Sequence, residues 1–302
     1  MLEHINALID ADVTDVLISA PNGVWVQRDG SVERTGLNLT EEQVRRLAIE
    51  LIDLGDRHID DATPCVDVRL DGGVRVHAVL APVSVGGTEI SIRIPNARAL
   101  TLSELVASGV VSRAVEAFLG EAISAKLTFL ISGSAGAGKT TFLGVLMSTV
   151  PEGERLISIE DVAELRIKHP RRVSLETRQA NTEGRGAISI ANLIETALRM
   201  RPDRLIVGEC RGAETIDMLR AFTTGHAGGG STIHANSLDD TATRLDSLGA
   251  LAGMPSTALA RLACAAIDLV VHIDRSDVSR RVTVGRLHVE GGVLVVHEID
   301  FD

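Results

Sequence analysis

The stretch Gly133-Ser134-Ala135-Gly136-Ala137-Gly138-Lys139-Thr140-Thr141 contains a complete phosphate-binding loop. The apolar run 127–132 before it predicts a strand and residues 141–147 predict a helix, which is the context that the motif requires. Its glycines let backbone N–H groups turn inward around a phosphate chain, and the helix N-terminus adds partial positive charge. Lys139 is expected to reach the β- and γ-phosphates, and the Thr140 hydroxyl is expected to hold Mg²⁺. The stretch from Gly133 to Thr141 therefore predicts binding of a nucleoside triphosphate.

Length and composition predict two domains and no membrane span. The chain has 302 residues, 45% of them hydrophobic, which is enough to bury a full core and to divide once. No uncharged apolar stretch reaches the roughly 20 residues of a spanning helix, and residues 1–10 lack the basic start of a secretory signal. Because Cys65, Cys210 and Cys264 are isolated in sequence, neither a disulfide framework nor a zinc site is indicated.

Charge and aromatic content bear on nucleic-acid binding. The net charge of −11 argues against the extended basic surface of a general nucleic-acid binder. Aromatic residues make up only 2% of the chain, so stacking platforms for bases are scarce as well. We therefore expect no stable nucleic-acid binding, although arginines cluster in a few segments.

The pattern of apolar runs divides the chain in two. Residues 1–94 alternate short apolar runs with turns and predict a small α+β domain with an antiparallel sheet. Residues 95–103 are predicted to be a linker. From 104 to 302, helices alternate with buried strands, which predicts an α/β domain with a mainly parallel sheet. In the first domain a capped helix is predicted to follow Thr40, and strands are predicted at 15–19, 23–27, 65–70, 74–80 and 89–94.

Two apolar strands of the second domain end in acids. The first reads Leu156-Ile-Ser-Ile-Glu160 and continues to Asp161 and Glu164, and the second reads Leu205-Ile-Val-Gly-Glu209. In open α/β sheets, ligands collect at the carboxyl ends of the strands, so these acids are expected to converge on the phosphate-binding loop. One carboxylate is expected to help hold Mg²⁺ and another to polarise the attacking water. Solvated strand caps are the alternative for either acid alone.

A glycine-rich segment supplies two histidines. His226 and His234 lie eight residues apart in the segment 224–236, which also contains Thr232 and Asn236. These side chains are candidates for sensing a γ-phosphate or its loss. A metal pair and two ordinary loop histidines are the alternatives, and the eight-residue spacing matches no common zinc pattern.

The chain resembles the secretion ATPases of type II and type IV pilus systems. The resemblance lies in an ordered set of motifs: the phosphate-binding loop, an acidic box (residues 159–164, with Glu160, Asp161 and Glu164), Val207-Gly-Glu209 and the histidine segment 224–236. Residues 176–186 and 197–204 resemble the branch that serves tight-adherence (Flp) pili. Residues 244–253 and the three consecutive glycines 228–230 are similar to actinobacterial members of that branch. The resemblance covers nearly the whole chain. It implies a RecA-like P-loop core preceded by a PAS-like N-terminal domain.

The resemblance also implies roles for single residues. Glu164 matches the presumed catalytic base, and Glu209 matches the Walker B glutamate on the metal side of the site. Glu160 and Asp161 belong to the same acidic box. Both are expected to help hold Mg²⁺, and Glu160 is expected to take part in catalysis as well. His226 and His234 match the two histidines of the family's loop.

The family forms hexameric rings in which arginines of the N-terminal domain reach a nucleotide at a subunit boundary. Arg75 and Arg93 match those arginines, and Arg69 is a weaker candidate. Positive charge of this kind stabilises the transition state of phosphoryl transfer. Solvated strand arginines are the alternative.

By this resemblance, the chain is expected to be a cytoplasmic hexameric ATPase that uses Mg²⁺ with ATP. It is expected to associate with the inner face of the cytoplasmic membrane, through a polytopic inner-membrane platform protein, and to drive assembly of a pilus-like fibre or protein export. A conjugation-type ATPase for DNA or protein transfer shares the same core and is one alternative. A nucleotide-gated scaffold without turnover is the other.

Overall fold

The computed structural model divides the chain into two compact units, Met1–Arg98 and Ala99–Asp302. Part of the predicted linker, residues 95–99, lies outside the residues that the structure describes. Those are residues 8–10, 13–28, 31–70, 73–94, 100–178, 185–225, 228–275 and 280–301.

Among its described residues, the N-terminal unit is a six-stranded antiparallel sheet with one helix packed against it. The strands lie in the order β3-β2-β1-β6-β5-β4. Helix α1 begins after Thr40, whose side chain accepts from the backbone N–H of Gln43 in a capping box. The elements are β1 (Val13–Ser19), β2 (Gly23–Arg28), β3 (Ser31–Arg34), α1 (Glu41–Asp53), β4 (Cys65–Arg69), β5 (Arg75–Val79) and β6 (Glu89–Arg93).

Strict alternation along the strands sets the two faces of this sheet. In β4, Val66 and Val68 are buried, whereas Cys65, Asp67 and Arg69 are exposed. Successive side chains of a strand point to opposite faces, so the valines face the core with α1 and the polar residues lie on the other face. The predicted α+β domain with an antiparallel sheet is confirmed.

The second unit is built on an eight-stranded sheet in the order β14-β13-β12-β7-β11-β10-β8-β9. The six strands from β12 to β9 in this order are parallel, and β13 and β14 extend the sheet as an antiparallel hairpin. The strands are β7 (Phe129–Gly133), β8 (Leu156–Glu160), β9 (Arg172–Glu176), β10 (Arg204–Val207), β11 (Gly230–His234), β12 (Leu269–Arg275), β13 (Arg280–Glu290) and β14 (Val293–Glu298).

Helices cover both faces of the large sheet. In β7 all five residues are buried; Leu130 belongs to one hydrophobic cluster, and Phe129 and Ile131 belong to the other. Strands buried on both faces are typical of parallel sheets in α/β proteins. The helices are α2 (Leu102–Ala107), α3 (Arg113–Ser124), α4 (Lys139–Met147), α5 (Ile190–Leu198), α6 (Glu214–Thr223), α7 (Asp240–Leu251) and α8 (Ser256–Ala266).

Within the described ranges, no single helix has the length and apolarity of a membrane span. Helices α7 and α8 reach that length and apolarity only when counted together, across the 120° bend between them.

Candidate functional site

The phosphate-binding loop connects the end of β7 to the start of α4. Gly136 and Gly138 have φ angles of 69° and 98°, in the left-handed region that favours glycine. A Cβ atom on Gly133 would lie 2.6 Å from the carbonyl oxygen of Ile273 on β12, so only glycine lets the loop leave the sheet there. Lys139 opens α4, as the motif predicts.

Lys139 is folded back onto its own loop. Its Nζ donates to the carbonyl oxygens of Gly133 at 3.0 Å and Ser134 at 2.9 Å, and it lies 3.2 Å from Nδ1 of His234. Burial lowers the pKa of the Lys139 ammonium, partly opposed by the charge of Glu209. The side chain that is expected to bind phosphates therefore already lies at the mouth of the loop.

The strand order determines which residues meet this lysine. Strands β7, β11, β10 and β8 are consecutive neighbours and all parallel. Their carboxyl ends therefore lie along one edge of the sheet, where they present in turn the phosphate-binding loop, His234, Glu209 and Glu160. This edge forms the candidate nucleotide site.

His234 lies between Lys139 and Glu209. Its Nε2 is 2.8 Å from Oε1 of Glu209, but the contact lacks the alignment of a hydrogen bond, so Oε1 is buried without a hydrogen-bond partner among the described residues. Burial, followed by the charge of Lys139, lowers the pKa of His234. Oε2 of Glu209 accepts from Arg211 at 2.5 Å, and that hydrogen bond raises the pKa of the Arg211 guanidinium.

Glu160 is the most enclosed acid of the edge, with 3% of its surface exposed. Oε1 accepts from the backbone N–H groups of Glu164 and Leu165, both at 2.9 Å, and thereby fixes the turn after β8. Oε2 is buried and has no hydrogen-bond partner in the part of the chain that the structure describes. Burial raises the pKa of this carboxyl, and the two N–H bonds oppose the shift. Gly208 leaves room for the side chain, since a Cβ there would lie 2.7 Å from Cγ of Glu160.

The remaining acids of the box are on the surface of the same turn. Asp161 and Glu164 are both exposed. The hydroxyl of Thr177, just after β9, donates to the backbone carbonyl of Asp161 at 3.1 Å. The carboxylates of the acidic box are thus held near Glu160 by backbone contacts.

The first described residues of the histidine segment after the gap, 228 and 229, are anchored at the amino ends of the parallel strands, opposite the candidate nucleotide site. His226 lies outside the described residues, but Gly228 is held by Arg204, whose Nη1 donates to its carbonyl oxygen at 2.9 Å, and by the hydroxyl of Thr128. A Cβ on Gly229 would lie 1.7 Å from the carbonyl oxygen of Leu205, which explains the run of glycines. Strand β11 then carries the chain across the sheet, so its full length separates Gly228 from His234.

Two further residues of that segment have different surroundings. Thr232 is buried, and its hydroxyl donates to the carbonyl oxygen of Gly208 at 2.8 Å, so it braces the turn before Glu209. Asn236 is exposed just beyond the end of β11. Of the two, only Asn236 is accessible to a ligand.

Three arginines of the N-terminal unit form one row across neighbouring strands. Arg69 pairs in register with Arg75, and Arg75 with Arg93. The residue next to each arginine along its strand is buried, which places all three arginines on the face away from the core. The structure therefore brings together the two predicted arginines and the weaker candidate.

Two basic residues at the nucleotide edge were not predicted from the sequence. Arg211 pairs with Glu209, and its position two residues later in the chain could have suggested it. Arg275 donates from Nη1 to the carbonyl oxygen of Gly136 at 3.3 Å. No local pattern signals Arg275, because it is 139 residues away in the chain and reaches the loop only through the pairing of β12 with β7.

Comparisons with known proteins agree with this architecture. Residues 2–283 match the family described as Type II/IV secretion system protein. A provisionally named conjugal transfer protein of Mycobacterium tuberculosis is 42% identical over 285 residues, which cover 92% of this chain and 81% of that protein. The conjugal transfer protein TrbB of Rhizobium radiobacter is 31% identical over 289 residues, covering 94% and 86% of the two chains.

The fold is also that of solved ATPases. The pilus retraction motor PilT with bound ADP superimposes with a TM-score of 0.66 at 21% identity, covering 99% of this chain and 81% of that one. The ATPase DotB of Legionella pneumophila gives 0.62 at 21% identity, covering 94% and 78%. At these identities the likeness shows the fold, an α/β core of the RecA-like kind preceded by an N-terminal domain.

Proposed function

The chain belongs to the type II/IV secretion system protein family, and from this membership we propose that it hydrolyses ATP to drive a secretion or pilus-assembly machine. The observation that carries the proposal is the series Lys139, His234 and Glu209 on the ends of three adjacent parallel strands. This series joins the phosphate-binding loop directly to the acidic edge.

Each part of the edge has a chemical task in this proposal. The backbone N–H groups of residues 133–141 cradle the phosphates, and Lys139 exchanges its own carbonyl partners for phosphate oxygens. Glu164, exposed beside Glu160, accepts a proton from the attacking water. His234 touches both Lys139 and Glu209, so it registers whether the lysine has moved to a phosphate.

The same edge fits Mg²⁺. Glu160 and Glu209 each present a buried carboxylate oxygen that no described residue hydrogen-bonds, and hard divalent cations take oxygen ligands, directly or through water. Thr140, Glu160, Asp161 and Glu209 would hold the ion with the nucleotide. Mg²⁺ bound there would neutralise charge on the transferred phosphoryl group.

We propose further that the active form is a homo-hexameric ring, with Arg75 and Arg93 acting on a nucleotide at a subunit boundary. Together with Arg69 they lie side by side on the face of the N-terminal sheet away from its core. An arginine that acts on the transition state contributes about 10³-fold or more to the rate of phosphoryl transfer.

The machine that we propose first is a tight-adherence (Flp) pilus or a related export system, served from the cytoplasm through a polytopic inner-membrane platform protein. A conjugation-type transfer ATPase is the second candidate, and a specific observation favours it. Both the 42% and the 31% identical relatives carry names that refer to conjugal transfer.

The core proposal is tested by steady-state hydrolysis of ATP and by nucleotide affinity. Glu164→Gln keeps the shape of the side chain and removes the base, so affinity should survive while turnover falls by about 10²-fold or more. Glu121→Gln, at an exposed acid on α3, is the matched control and should leave both unchanged. Normal turnover per bound nucleotide in Glu164→Gln would remove Glu164 from the chemistry.

The ring proposal is tested by mixing two inactive variants. Lys139→Ala subunits cannot hold the phosphates and Arg93→Ala subunits lack the arginine, so mixed rings should regain partial activity if Arg93 acts on a neighbour's nucleotide. Mixed rings that assemble by size-exclusion chromatography, yet hydrolyse no more ATP than the separate variants, would refute action across the boundary.

The two machines are distinguished by binding of DNA. A pilus or export ATPase should bind duplex DNA only weakly at about 150 mM salt, as the net charge of −11 suggests. Tight binding whose logarithm falls steeply with the logarithm of salt concentration would favour conjugation. Loss of surface pili on deletion in the host would favour the first candidate.

A further inference from the structure

A basic cavity lies at the amino ends of strands β8, β9 and β10 of the eight-stranded sheet. The candidate nucleotide site lies at the carboxyl ends of the parallel strands, on the opposite side. The cavity has a volume of about 420 Å³, within the usual range of small-ligand pockets, and it is lined by Gly153, Arg155, Arg171, Met200, Arg201 and Asp203. Three arginines and one aspartate thus line the cavity, in a chain whose overall charge is −11. The cavity is therefore basic, although the chain as a whole is acidic.

The fold itself assembles this cavity. Strands β10, β8 and β9 are parallel neighbours, and Arg204, Leu156 and Arg172 are aligned at their starts. The residues one position earlier, Asp203, Arg155 and Arg171, therefore lie side by side at the same edge. The three segments that supply them are far apart in sequence, so the grouping depends on the sheet and not on a local basic run.

The acidic groups nearby do not neutralise the arginines. Oδ2 of Asp203 accepts from the backbone N–H of Arg155 at 2.7 Å, and its single negative charge offsets at most one of the three arginines. The neighbouring Glu154 is turned to the buried guanidinium of Arg204 at 2.8 Å and to Lys126 at 3.4 Å. The guanidinium groups of the cavity consequently keep an excess of positive charge.

Two arginines of the cavity have unusual features. Nε of Arg155 is buried and has no hydrogen-bond partner among the described residues, although buried donors in folded proteins are nearly always paired. Arg201 has a φ angle of 55°, a left-handed conformation that persists in a non-glycine residue only where the surroundings determine it. Because this Nε atom has almost no accessible surface, an anion in the cavity would not reach it and would be attracted instead by the charge of the three arginines that line the cavity.

We propose that this cavity binds a phosphate-bearing anion. Guanidinium groups bind phosphate oxygens through paired, charge-assisted hydrogen bonds, and a group with a charge of about −2 and several oxygens can engage three of them together. A single carboxylate would occupy only one. The ligand is either a soluble phosphorylated compound or the headgroup of an anionic phospholipid, since both present the same chemistry.

This site is distinct from the phosphate-binding loop. The cavity lies at the start of β8 and β10, whereas Glu160 and Glu209 lie at or just beyond their far ends, about 15 Å away for a five-residue strand. Binding in the cavity therefore does not depend on ATP hydrolysis and can be tested with the nucleotide site saturated.

The experiment is isothermal titration of the full chain with pyrophosphate in the presence of saturating Mg²⁺ and ADP. The wild type should bind one further pyrophosphate per chain. The double variant Arg171→Ala/Arg201→Ala should bind it about 10²-fold more weakly, roughly tenfold for each arginine removed. Arg113→Ala/Arg261→Ala, two exposed arginines elsewhere in the core, should bind like the wild type.

A second variant guards against a folding defect, because Arg171 also donates to the carbonyl oxygen of Gly153. Arg201→Glu reverses one charge at an exposed residue and should abolish binding without changing Tm. Absence of binding in the ADP-saturated wild type, to both pyrophosphate and vesicles, would overturn the proposal, as would equal affinity in the double variant.

Co-sedimentation with vesicles separates the two sources of phosphate. Cavity-dependent binding to phosphatidylglycerol vesicles, but not to phosphatidylcholine vesicles, would assign the ligand to a lipid headgroup. Binding of pyrophosphate alone would assign it to a soluble compound. Retention of duplex DNA that these variants abolish, with no binding of pyrophosphate or vesicles, would overturn the assignment in favour of nucleic acid.

Discussion

Glu160 serves both the folding and the proposed chemistry of the nucleotide edge, and two substitutions should separate these contributions. Glu160→Ala removes the acceptor of two backbone N–H groups, from Glu164 and Leu165, in an almost fully buried position. Losing two hydrogen bonds to a charged acceptor costs about 3–5 kcal/mol. For a unit of this size, that corresponds to a fall in Tm on the order of 10 °C.

Glu160→Gln should behave differently. The amide oxygen can still accept both N–H bonds, and replacing Oε2 removes a buried negative charge that no described residue hydrogen-bonds. We expect stability within about 1 kcal/mol of the wild type at neutral pH. Hydrolysis of ATP should nevertheless fall by about tenfold or more, because the acidic edge loses charge that would help hold Mg²⁺.

The effect of pH has a definite sign. Burial raises the pKa of Glu160 above its ordinary value of 4.5, so the folded protein holds this proton more tightly than the unfolded chain. The part of the stability that depends on the proton of Glu160 is therefore fully present below pH 4.5 and is lost as the pH rises through the folded-state pKa. Since glutamine does not titrate, Glu160→Gln should gain stability relative to the wild type as the pH rises.

Thermal unfolding followed by circular dichroism, from about pH 4.5 to about pH 8, would measure this difference. The gap in Tm between Glu160→Gln and the wild type should increase with pH and then level off. Glu121→Gln, at an exposed acid, is the control and should show no such trend. A gap that narrows as the pH rises, or a loss of several kcal/mol in Glu160→Gln at neutral pH, would refute the role assigned to the buried carboxylate.

Three further predictions concern residues that are buried or closely packed: Arg204, Gly229 and Cys210. Arg204→Met removes a fully buried guanidinium that pairs with the partly buried Glu154, and thermal unfolding should show a loss of about 3–5 kcal/mol, whereas a loss below about 1 kcal/mol would contradict the pairing. Gly229→Ala should prevent native folding, since its Cβ would overlap a carbonyl oxygen; the control Gly120→Ala, in an open helix position, should raise stability by about 0.5–1 kcal/mol in the same assay. Burial raises the pKa of Cys210 to about 12, so iodoacetamide at about pH 8 should alkylate exposed Cys65 in the native protein and leave Cys210 unmodified by mass spectrometry.

The elements that the sequence predicts well are those whose signal is local. The phosphate-binding loop needs its glycines within a few residues of each other, and the structure places Lys139 at the start of α4 as expected. The strands of the N-terminal unit alternate buried and exposed residues, so their faces follow from a period of two residues. Strand β3 gives no such signal, because all four of its residues are exposed.

The candidate site is less predictable because it depends on strand order. Sequence places Glu160 and Glu209 at strand ends, but only the order β7-β11-β10-β8 puts His234 between Lys139 and Glu209. The contact of Arg275 with the phosphate-binding loop needs the pairing of β12 with β7, which no local pattern encodes.

The same dependence explains why the two ends of the histidine segment, close in sequence, have separate surroundings. A strand rises about 3.3 Å per residue, so the five residues of β11 carry the chain about 16 Å across the sheet. Gly228 is fixed at one edge by Arg204, and His234 lies at the other beside Lys139. A movement of Lys139 towards a phosphate would therefore first change the contact between Lys139 and His234. Within the histidine segment, β11 connects His234 to the residues that Arg204 anchors, so such a movement can reach them along this strand.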